Sequence, residues 1–393
     1  MELTQKQKEG LKIALERFHA GEAYTCIAGY AGVGKSTLIQ FIINALGIDC
    51  DKDVCYCAYT GKAANVLKSK NCPNAITAHK LLYKAELIGD HFIFTPKSLN
   101  GEYRIIVVDE VSMLPKEMWD LLLTHGIHVL ACGDPFQLPT INPDEDNHVL
   151  DNPHIFLDEI MRQAADNEII RLSFDIRQGN PINAYKGKDI QVIDSKDLVT
   201  GMYTWADQIL CATNKTRTSI NQEMRKILGK TGDPQEGDKL ICLHNNWEIT
   251  GSEGTPLTNG TILTIDHCES GLVWVPRFIH QRPVYTIKGH FVTDSGESFA
   301  GLTLDKQTLT TGTPTLSQIQ KAKLGRLGSK YYRGPDILDM DYAYAITGHK
   351  AQGSEFEKVL VIEENFPVVP IEHARWLYTC VTRASKQLIL VRK

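Results

Sequence analysis

Eight residues near the N-terminus have the types and spacing needed to hold a phosphate chain. Residues 29–36 read G-Y-A-G-V-G-K-S, with an apolar strand-like run at 24–28 before them and a helical apolar pattern after them. Gly29, Gly32 and Gly34 let backbone N–H groups converge on phosphate oxygens, and the following helix adds the positive end of its dipole. The segment therefore predicts a nucleoside triphosphate site.

Three residues at the end of this loop carry the reactive groups. Lys35 can reach the β- and γ-phosphates, the Ser36 hydroxyl is placed to hold Mg²⁺, and Thr37 follows as a further nucleotide contact. The alternative interpretation is a glycine-rich turn that precedes a lysine by chance. The strand before the loop and the helix after it favour the phosphate site.

Two carboxylates end an apolar run about 75 residues downstream of the loop. The run at 105–108 leads into Asp109 and Glu110. Asp109 can hold Mg²⁺, directly or through water, and Glu110 can accept a proton from the attacking water. An apolar strand followed by Asp-Glu is weak evidence alone, but its position after a phosphate loop makes it strong.

A polar glutamine lies on a turn after the next apolar run. Residues 133–139 read G-D-P-F-Q-L-P, and Gln137 beside a γ-phosphate could orient water and report hydrolysis. Taken in isolation, the segment is more simply explained as a turn built from Gly, Asp and Pro.

The composition of the 393-residue chain is that of an ordinary globular protein, 42% hydrophobic and 23% charged. No apolar run approaches the roughly 18 residues of a membrane span, and the N-terminus lacks the apolar region of a secretory signal. We therefore expect a cytoplasmic protein that does not bind membranes.

The ten scattered cysteines predict free thiols and no metal site built from clustered Cys and His ligands. A net charge of −5 means that nucleic acid would have to bind through a local groove.

Hydrophobic periodicity predicts the elements that position these residues. Strand-like runs alternate with helical patterns from residue 4 to about 172, which predicts a parallel sheet covered by helices. The predicted strands are 24–28, 54–59, 105–109 and 128–132, and the predicted helices are 4–20, 35–46, 61–70 and 116–124. A second alternating region begins near 208–212 and resumes at 358–362 and 388–391.

The segment 246–337 differs in character, being rich in Gly, Thr and Pro. Its short alternating runs predict a small β-barrel inserted into the second α/β unit. These runs are 261–265, 271–275, 284–287 and 290–293. The basic stretch 321–330 near its end fits a phosphate-contacting edge or a solvated turn equally well.

Three motifs, G-x-x-G-x-G-K-S, D-E-V-S and G-D-P-x-Q-L-P, occur in an order that resembles superfamily 1 helicases, specifically the RecD-like and phage Dda-type group. The resemblance extends over residues 3–390, with little guidance between about 262 and 335. It implies an α/β protein with two RecA-like parallel-sheet P-loop motor domains, a small β-hairpin inserted in the first and a small β-barrel in the second. The implied boundaries are 1–82 and 99–170 for the first motor domain, 83–98 for the hairpin, 171–245 and 338–393 for the second motor domain, and 246–337 for the barrel.

The resemblance also assigns residues around the nucleotide. Gln7, in L-T-x-x-Q, would hydrogen-bond the base, and Gly353 and Glu355 would belong to a motif joining nucleic-acid contact to ATP contact. Arg383, in Y-T-C-V-T-R-A, would reach the γ-phosphate, and Arg162 would supply a second positive group. Charge developing on the transferred phosphoryl group calls for such groups. For either arginine alone, a surface salt bridge is the alternative.

Other matching positions imply contacts to a nucleic-acid strand. They are Thr60, Lys62, Thr77, His79, Asn259, Thr347 and His349. Residues 84–96 read as a hairpin whose turn is Gly89-Asp90, and period-two alternation places Phe92 and Phe94 on one face. Family members carry a wedge hairpin at this point, so an aromatic there could stack on a base at the fork. The alternative is that both phenylalanines cap a local apolar patch.

The resemblance implies an ATP- and Mg²⁺-dependent DNA helicase that moves 5′ to 3′ on single-stranded DNA and unwinds forked duplex. An RNA-directed motor and a nucleotide-dependent clamp without unwinding remain alternatives; a metabolic phosphate-loop kinase would not need the second α/β half. The expected protein is a monomer from a phage or a bacterium, acting in replication, recombination or repair. Candidate protein partners are a single-strand-binding protein or a replisome component.

Overall fold

The computed structural model describes residues 3–70, 72, 74–88, 91–99, 101–139, 143–159, 166–325, 332 and 334–393. The chain forms two compact units. Unit 1 comprises Met1–Tyr83, Pro96–Thr213 and Thr347–Lys393, and unit 2 comprises Lys84–Thr95 and Asn214–Ile346.

The helices and strands are numbered separately in chain order. The helices are α1 (Gln5–His19), α2 (Lys35–Ala45), α3 (Gly61–Ser69), α4 (Ala78–Leu82), α5 (Lys116–Leu123), α6 (Glu168–Gln178), α7 (Thr200–Trp205), α8 (Asn214–Ile227), α9 (Lys306–Thr311), α10 (Gln318–Gly325) and α11 (Pro370–Val381). The strands are β1 (Tyr24–Gly29), β2 (Val54–Ala58), β3 (Ile76–Thr77), β4 (Tyr83–Ile88), β5 (His91–Pro96), β6 (Ile105–Asp109), β7 (His128–Gly133), β8 (Ile155–Leu157), β9 (Tyr185–Lys186), β10 (Ile190–Asp194), β11 (Gln208–Cys211), β12 (Lys239–Cys242), β13 (Asn246–Thr250), β14 (Pro256–Leu257), β15 (Ile262–Val273), β16 (Val284–Val292), β17 (Ser298–Asp305), β18 (Ile337–Leu338), β19 (Met340–Tyr342), β20 (Ala345–Thr347), β21 (Phe356–Ile362) and β22 (Ala384–Arg392).

The first sheet of unit 1 is parallel and has the order β3-β2-β6-β7-β1-β8. Its register places Ala58 opposite Asp109, and Ala28 opposite Gly133. The phosphate loop after β1, the carboxylates at the end of β6 and the turn after β7 therefore lie at the same edge of the sheet. The predicted strands and helices of this region lie within one or two residues of the observed ones.

Both faces of this sheet are buried, which explains why its strands read as continuous apolar runs. Neighbouring residues of one strand pack into different clusters: Ile27 and Val107 lie in one with helix α2, whereas Cys26 and Val108 lie in the other with helix α5. This alternation is the period of two expected for a strand with helices on both faces.

The second sheet of unit 1 includes β11, β21, β22, β10 and β9 in that order. The pairings β11–β21, β21–β22 and β10–β22 are parallel, and the short β9 runs antiparallel to β10. Helix α11 packs against helix α6 and against this sheet. The predicted architecture of two α/β domains built on parallel sheets is thereby confirmed.

Unit 2 is built on a sheet of order β18-β17-β16-β15-β12-β19. The predicted runs 261–265 and 271–275 were wrong as separate strands, because most of their residues belong to the single strand β15. Likewise, most residues of 284–287 and 290–293 belong to β16. Register shifts at Ile265/His267 and Gly289/His290 interrupt the alternation that the sequence displays, which accounts for the error. Strands β12 and β19 of this sheet lie outside the predicted insertion 246–337, whose boundaries stay a prediction.

Strands β4 and β5 form a two-stranded sheet at the predicted hairpin. Its turn, Gly89-Asp90, and the side chain of Phe92 lie outside the described residues, as do residues 326–330 of the basic stretch. None of the helices that the structure describes is both long enough and apolar enough to cross a membrane.

Candidate nucleotide and nucleic-acid sites

The phosphate loop has the backbone geometry of an anion cradle. Gly32 and Gly34 have φ values of 76° and 81°, in the left-handed region that favours glycine. Gly34 caps the N-terminus of α2 without a side-chain acceptor, so the first N–H groups of the helix are available to an anion. Gly29 has no room for a side chain, because a Cβ there would lie 2.7 Å from the carbonyl oxygen of Leu157.

Lys35 is held across this loop. Its Nζ donates to the carbonyl oxygens of Gly29, at 2.7 Å, and Tyr30, at 3.0 Å. The ammonium group is thus positioned by the loop itself and can exchange these neutral acceptors for phosphate oxygens, which form stronger, charge-assisted hydrogen bonds.

Two side chains brace the loop from opposite ends of the sequence. Gln7 is 1% exposed; its Oε1 accepts from the backbone N of Thr4, and its Nε2 donates to the carbonyl oxygens of Val33 and Gly34. The hydroxyl of Tyr378 accepts from the backbone N of Ala31, at 2.8 Å. Both hydrogen-bonding groups of Gln7 are therefore engaged within the protein, and its predicted contact to the base stays a prediction.

The second of the two predicted active-site carboxylates lies at a backbone irregularity. Glu110 has a φ of 50°, which is uncommon for a residue other than glycine and typical of functional sites. The turn directs the N–H of Glu110 onto the carboxylate of Asp109, at 3.0 Å, and lets the Glu110 side chain leave the strand in a different direction. Two adjacent carboxylates can therefore take two different roles.

Glu110 meets predicted catalytic residues from distant parts of the chain. Gln137 donates its Nε2–H to Oε1 of Glu110 at 3.3 Å, and Nη1 of Arg383 lies 3.9 Å from the same oxygen. Arg383 is 6% exposed and also donates to the backbone oxygens of Thr379 and Ser354. A proton acceptor, a polar amide and a cation are thus grouped on residues from both sheets of unit 1.

The turn at 133–139 is fastened to the second half of unit 1. The backbone N of Leu138 donates to Oγ1 of Thr379, at 3.0 Å, and its carbonyl oxygen accepts from Nε2 of Gln352, at 2.6 Å. The hydroxyl of Tyr378 donates to Asp134, at 2.6 Å. Hydrogen bonds from residues before and after Gln137 therefore connect this turn to helix α11.

We expect Tyr378→Phe to lower the free energy of unfolding by about 1–3 kcal/mol, because it leaves the 2%-exposed Asp134 and the Ala31 N–H without this partner. Chemical denaturation measures the change, and Tyr185→Phe, at a side chain 42% exposed, is the matched control. Equal loss in both variants would show that the bridging hydroxyl contributes nothing specific.

Burial and the neighbouring Glu110 raise the pKa of Asp109 to about 6, against an opposing effect of Lys35. The folded protein holds this proton more tightly than the unfolded chain, so this carboxyl lowers the free energy of unfolding as pH rises from about 4 to about 6. The charged form is then present at neutral pH, where it can hold a cation.

We therefore expect Asp109→Asn to be more stable than the wild type at pH 7 without nucleotide, by on the order of 1–3 kcal/mol. The difference should shrink to zero near pH 4, where the wild-type carboxyl is protonated. Denaturant unfolding of both proteins between pH 4 and 7 measures it, with Glu117→Gln at an exposed position as control. Parallel stability curves for wild type and Asp109→Asn would contradict the prediction.

A cavity of about 260 Å³ adjoins Asp134 and Gln137. Its lining includes Ser112, Asn147 and Arg375, and the Ser112 Oγ and Arg375 Nε are buried without a hydrogen-bond partner among the described residues. A polar cavity of this size has room for several water molecules. Water is thus accommodated beside the glutamine predicted to orient it.

Two of the predicted strand-contacting threonines begin short helices. The Oγ1 of Thr60 accepts from the N of Ala63, and that of Thr77 from the N of Lys80. Each hydroxyl used in this way keeps its own hydrogen, which can be donated to a phosphate oxygen. His79 packs between the rings of Tyr59 and Tyr83, and burial lowers its pKa.

Lys62, Gly353 and Glu355 lie where two segments of unit 1 approach each other. Nζ of Lys62 lies 3.9 Å from the centroid of the Phe356 ring, and Glu355 pairs with Lys70 at 2.6 Å. Gly353 has a φ of 67°, and a Cβ there would lie 2.9 Å from Cβ of Ala63. Segments 60–63 and 353–356, from the two halves of unit 1, therefore touch.

The remaining predicted residues have diverse surroundings. Thr347 is 8% exposed, and burial lowers the pKa of His349. Asn259 and Phe94 belong to unit 2, where Phe94 is 43% exposed. Arg162 lies outside the described residues.

Sequence reasoning missed several residues that hold this site. Tyr378, Thr379 and Gln352 bridge the phosphate loop or the glutamine turn to the second half of unit 1. The signal for Tyr378 and Thr379 was their place inside the quoted motif Y-T-C-V-T-R-A, where they precede Arg383 by about one helical turn.

Two family models match different parts of the chain. A family model described as "AAA domain" matches residues 2–201, and one described as "UvrD-like helicase C-terminal domain" matches residues 342–391. The first covers half of the chain and includes the phosphate loop and both carboxylates.

Two curated relatives are similar over long stretches. The ATP-dependent RecD2 DNA helicase of Deinococcus radiodurans is 26% identical over 377 residues, covering 93% of this chain and 46% of that protein. The ATP-dependent DNA helicase dda of Enterobacteria phage T4 is 24% identical over 301 residues, covering 68% of each. The chain thus spans about half the length of the first relative and two thirds of the second.

A solved structure shares the fold. The Pif1 helicase from Bacteroides, in complex with ADP-AlF3 and single-stranded DNA, superposes with a TM-score of 0.53 at 16% identity, covering 99% of this chain and 92% of that one.

Proposed function

We propose that this chain, which belongs to the AAA domain family, is an ATP-dependent DNA helicase that moves 5′ to 3′ along single-stranded DNA and unwinds forked duplex. Two relatives of this kind, the RecD2 and dda proteins, are named as ATP-dependent DNA helicases, which supports both the activity and the substrate.

The grouping of Gln137 and Arg383 on Glu110 carries the proposal. A protein that only clamps nucleic acid needs nucleotide binding, whereas hydrolysis also needs a base for the attacking water and a cation for the developing charge. Because the cluster draws on both sheets of unit 1, it is assembled only when the two halves are together. Hydrolysis can then be coupled to their separation.

The chemistry follows from the position of each side chain. Lys35 and the N–H groups of the loop bind the β- and γ-phosphates, and Gln137 orients a water molecule toward the γ-phosphate. Glu110 accepts the proton of that water as it attacks. Arg383 exchanges its contacts to backbone oxygens for the phosphoryl oxygens, where negative charge develops.

The residues present fit a magnesium ion with the nucleotide. Ser36 is the second residue of α2, and Asp109 ends β6 at the same sheet edge, so a hydroxyl and a carboxylate are available as oxygen ligands. Mg²⁺ prefers such ligands with phosphate oxygens and, when bound, would neutralise charge on the β- and γ-phosphates. Charging Asp109 costs free energy because of its burial, and a cation would offset that cost.

Steady-state ATP hydrolysis with and without single-stranded DNA tests the proposal, with an RNA of the same sequence alongside. Stimulation by DNA alone is expected, followed by unwinding of a fork with a 5′ single-stranded tail. Equal stimulation by RNA would favour an RNA-directed motor, and hydrolysis unaffected by either polymer would favour a nucleotide-dependent clamp.

The hairpin β4–β5 supplies a proposed wedge. We expect Phe92→Ala or Phe94→Ala to reduce unwinding several-fold while sparing DNA-stimulated hydrolysis, because a base stacked on one aromatic ring is lost. The exposed fraction of Phe94, 43%, is compatible with such contact. Val368→Ala, at an exposed site in unit 1, is the control. Loss of hydrolysis together with unwinding would indicate a packing role for the phenylalanine.

We further propose that the protein acts as a monomer in the cytoplasm of a phage-infected or other bacterial cell, together with a single-strand-binding protein or a replisome component. Sedimentation of the protein with and without DNA tests the oligomeric part of this proposal.

A further inference from the structure

Unit 2 exposes a group of large apolar side chains at the end of the β15–β16 hairpin. Leu272, Trp274, Phe278 and Tyr285 are 54%, 66%, 71% and 60% exposed. Single exposed apolar residues are ordinary, but four within fourteen residues of one hairpin call for an explanation.

The outward direction of these side chains is fixed by the core beneath them. In the strand register Leu272 pairs with Tyr285, and the next pair, Val273 with Val284, has a fully buried Val284. Val275 and Ile279, which alternate with Trp274 and Phe278, are also buried in a cluster with Leu316 and Ile337. The exposed residues therefore lie on the solvent side of a packed layer and are not the result of a loose segment.

The same segment has an unusual charge. Residues 270–293 contain no Asp or Glu, in a chain whose net charge is −5. Arg277 and Arg282 are exposed, and neither has an ion pair within the part of the chain that the structure describes. Lys288 adds a charge nearer the base, where it pairs in register with Glu269. We call the exposed side chains Leu272, Trp274, Arg277, Phe278, Arg282 and Tyr285 the arm face.

We propose that the arm face binds single-stranded DNA as a contact separate from the motif residues of unit 1. Aromatic rings offer stacking surfaces that suit any base, and the two arginines supply charge for phosphates. Single-stranded DNA presents a flat base and a negative charge at every nucleotide, which matches this combination. The choice of DNA as the polymer rests on the proposed function.

Trp274→Ser with Phe278→Ser is the direct test, since both side chains are exposed. A fluorescent oligodeoxythymidylate of about 30 nucleotides, long enough for two contact regions, should bind this variant about 5- to 100-fold more weakly than the wild type. Val368→Ser with Ile371→Ser removes two exposed apolar side chains from unit 1 and is the matched control. The rate of hydrolysis at saturating DNA should stay at the wild-type value, because no residue of the ATP site is changed.

Arg277→Ser with Arg282→Ser is the second variant. If both guanidinium groups contact phosphates, the slope of log affinity against log salt concentration should become shallower by about 1.4. Two exposed lysines elsewhere, Lys12 and Lys52, changed to serine provide the control for net charge.

Wild-type affinity and salt slope in both arm variants would overturn the proposal. Loss of binding to an acidic peptide such as oligoglutamate, with DNA affinity unchanged, would likewise overturn it and assign the face to a protein partner. Failure of the proposed function gives a different result, because then the wild type itself would neither bind the oligonucleotide nor be stimulated by it.

Discussion

Replacing Lys35 with alanine is expected to reduce ATP hydrolysis at least ~100-fold, to the background of the assay. The Lys35 Nζ lies 2.7 Å from the carbonyl oxygen of Gly29 and is thereby held over the loop that we propose binds the phosphates. Alanine removes the only charge that the loop at 29–36 contributes, while the N-terminus of α2 stays intact. Nucleotide binding should weaken and turnover should fall further, because charge grows on the γ-phosphoryl group in the transition state.

Steady-state phosphate release at saturating single-stranded DNA measures the effect. Lys12→Ala, at a side chain 77% exposed on α1, should retain the wild-type rate. Turnover near the wild-type rate in Lys35→Ala would show that the phosphate loop is not part of the active site, and it would contradict the proposed function. Among the described residues, Lys35 donates hydrogen bonds to two backbone oxygens of its own loop, and its charge also opposes the rise in the pKa of Asp109, so the free energy of unfolding at neutral pH should decrease modestly.

Much of the first α/β half could be predicted because its signals are local. Strand β6 is an unbroken apolar run buried on both faces, and its end is marked by two carboxylates. Helix α1 begins with a capping box formed by Thr4 and Gln7, which a sequence displays directly. The resemblance to superfamily 1 helicases, confirmed by the relatives, rested on motifs in the same region.

Unit 2 could be predicted less well because its signals are not local. Strand β15 pairs with β12 and β16, and its middle, around His267, is polar and exposed, so its apolar pattern breaks into two runs. A continuous strand there is stabilised by pairing, which a single run of sequence does not reveal. The sheet also recruits β19 from beyond residue 337.

The candidate active site was also only partly predictable, because its contacts join residues far apart in the sequence. Asp109 and Glu110 were predicted from their place at the end of a strand, but the contacts of Tyr378 to Ala31 and Asp134 join residues more than 240 positions apart. Motif order indicates that such segments meet, and only the fold shows which atoms do. Gln7 is the clearest example, since its motif implies a contact to the base and the structure shows its amide bracing the loop.

Glu110→Gln is expected to keep ATP binding and to reduce turnover by ~10²–10⁴-fold, the usual contribution of a general base. Glutamine has the same shape, so its amide oxygen can still accept from Gln137 and remain near Arg383, both of which now contact Oε1 of Glu110. The left-handed backbone at Glu110 is no more strained with glutamine than with glutamate. What is lost is the basicity that removes a proton from the attacking water.

The variant separates binding from chemistry. Equilibrium binding of a fluorescent ATP analogue should be within a few-fold of the wild type, while phosphate release with DNA falls to near background; Glu117→Gln, on exposed α5 surface, should match the wild type in both. Because ATP is held but not hydrolysed, the variant should stay in its ATP-bound state. Its affinity for DNA in the presence of ATP should then be that of the protein before turnover. Turnover close to wild type would mean that another group activates the water. Joint loss of binding and turnover would instead mean that Glu110 maintains the site structurally, through the charge that Arg383 requires beside it.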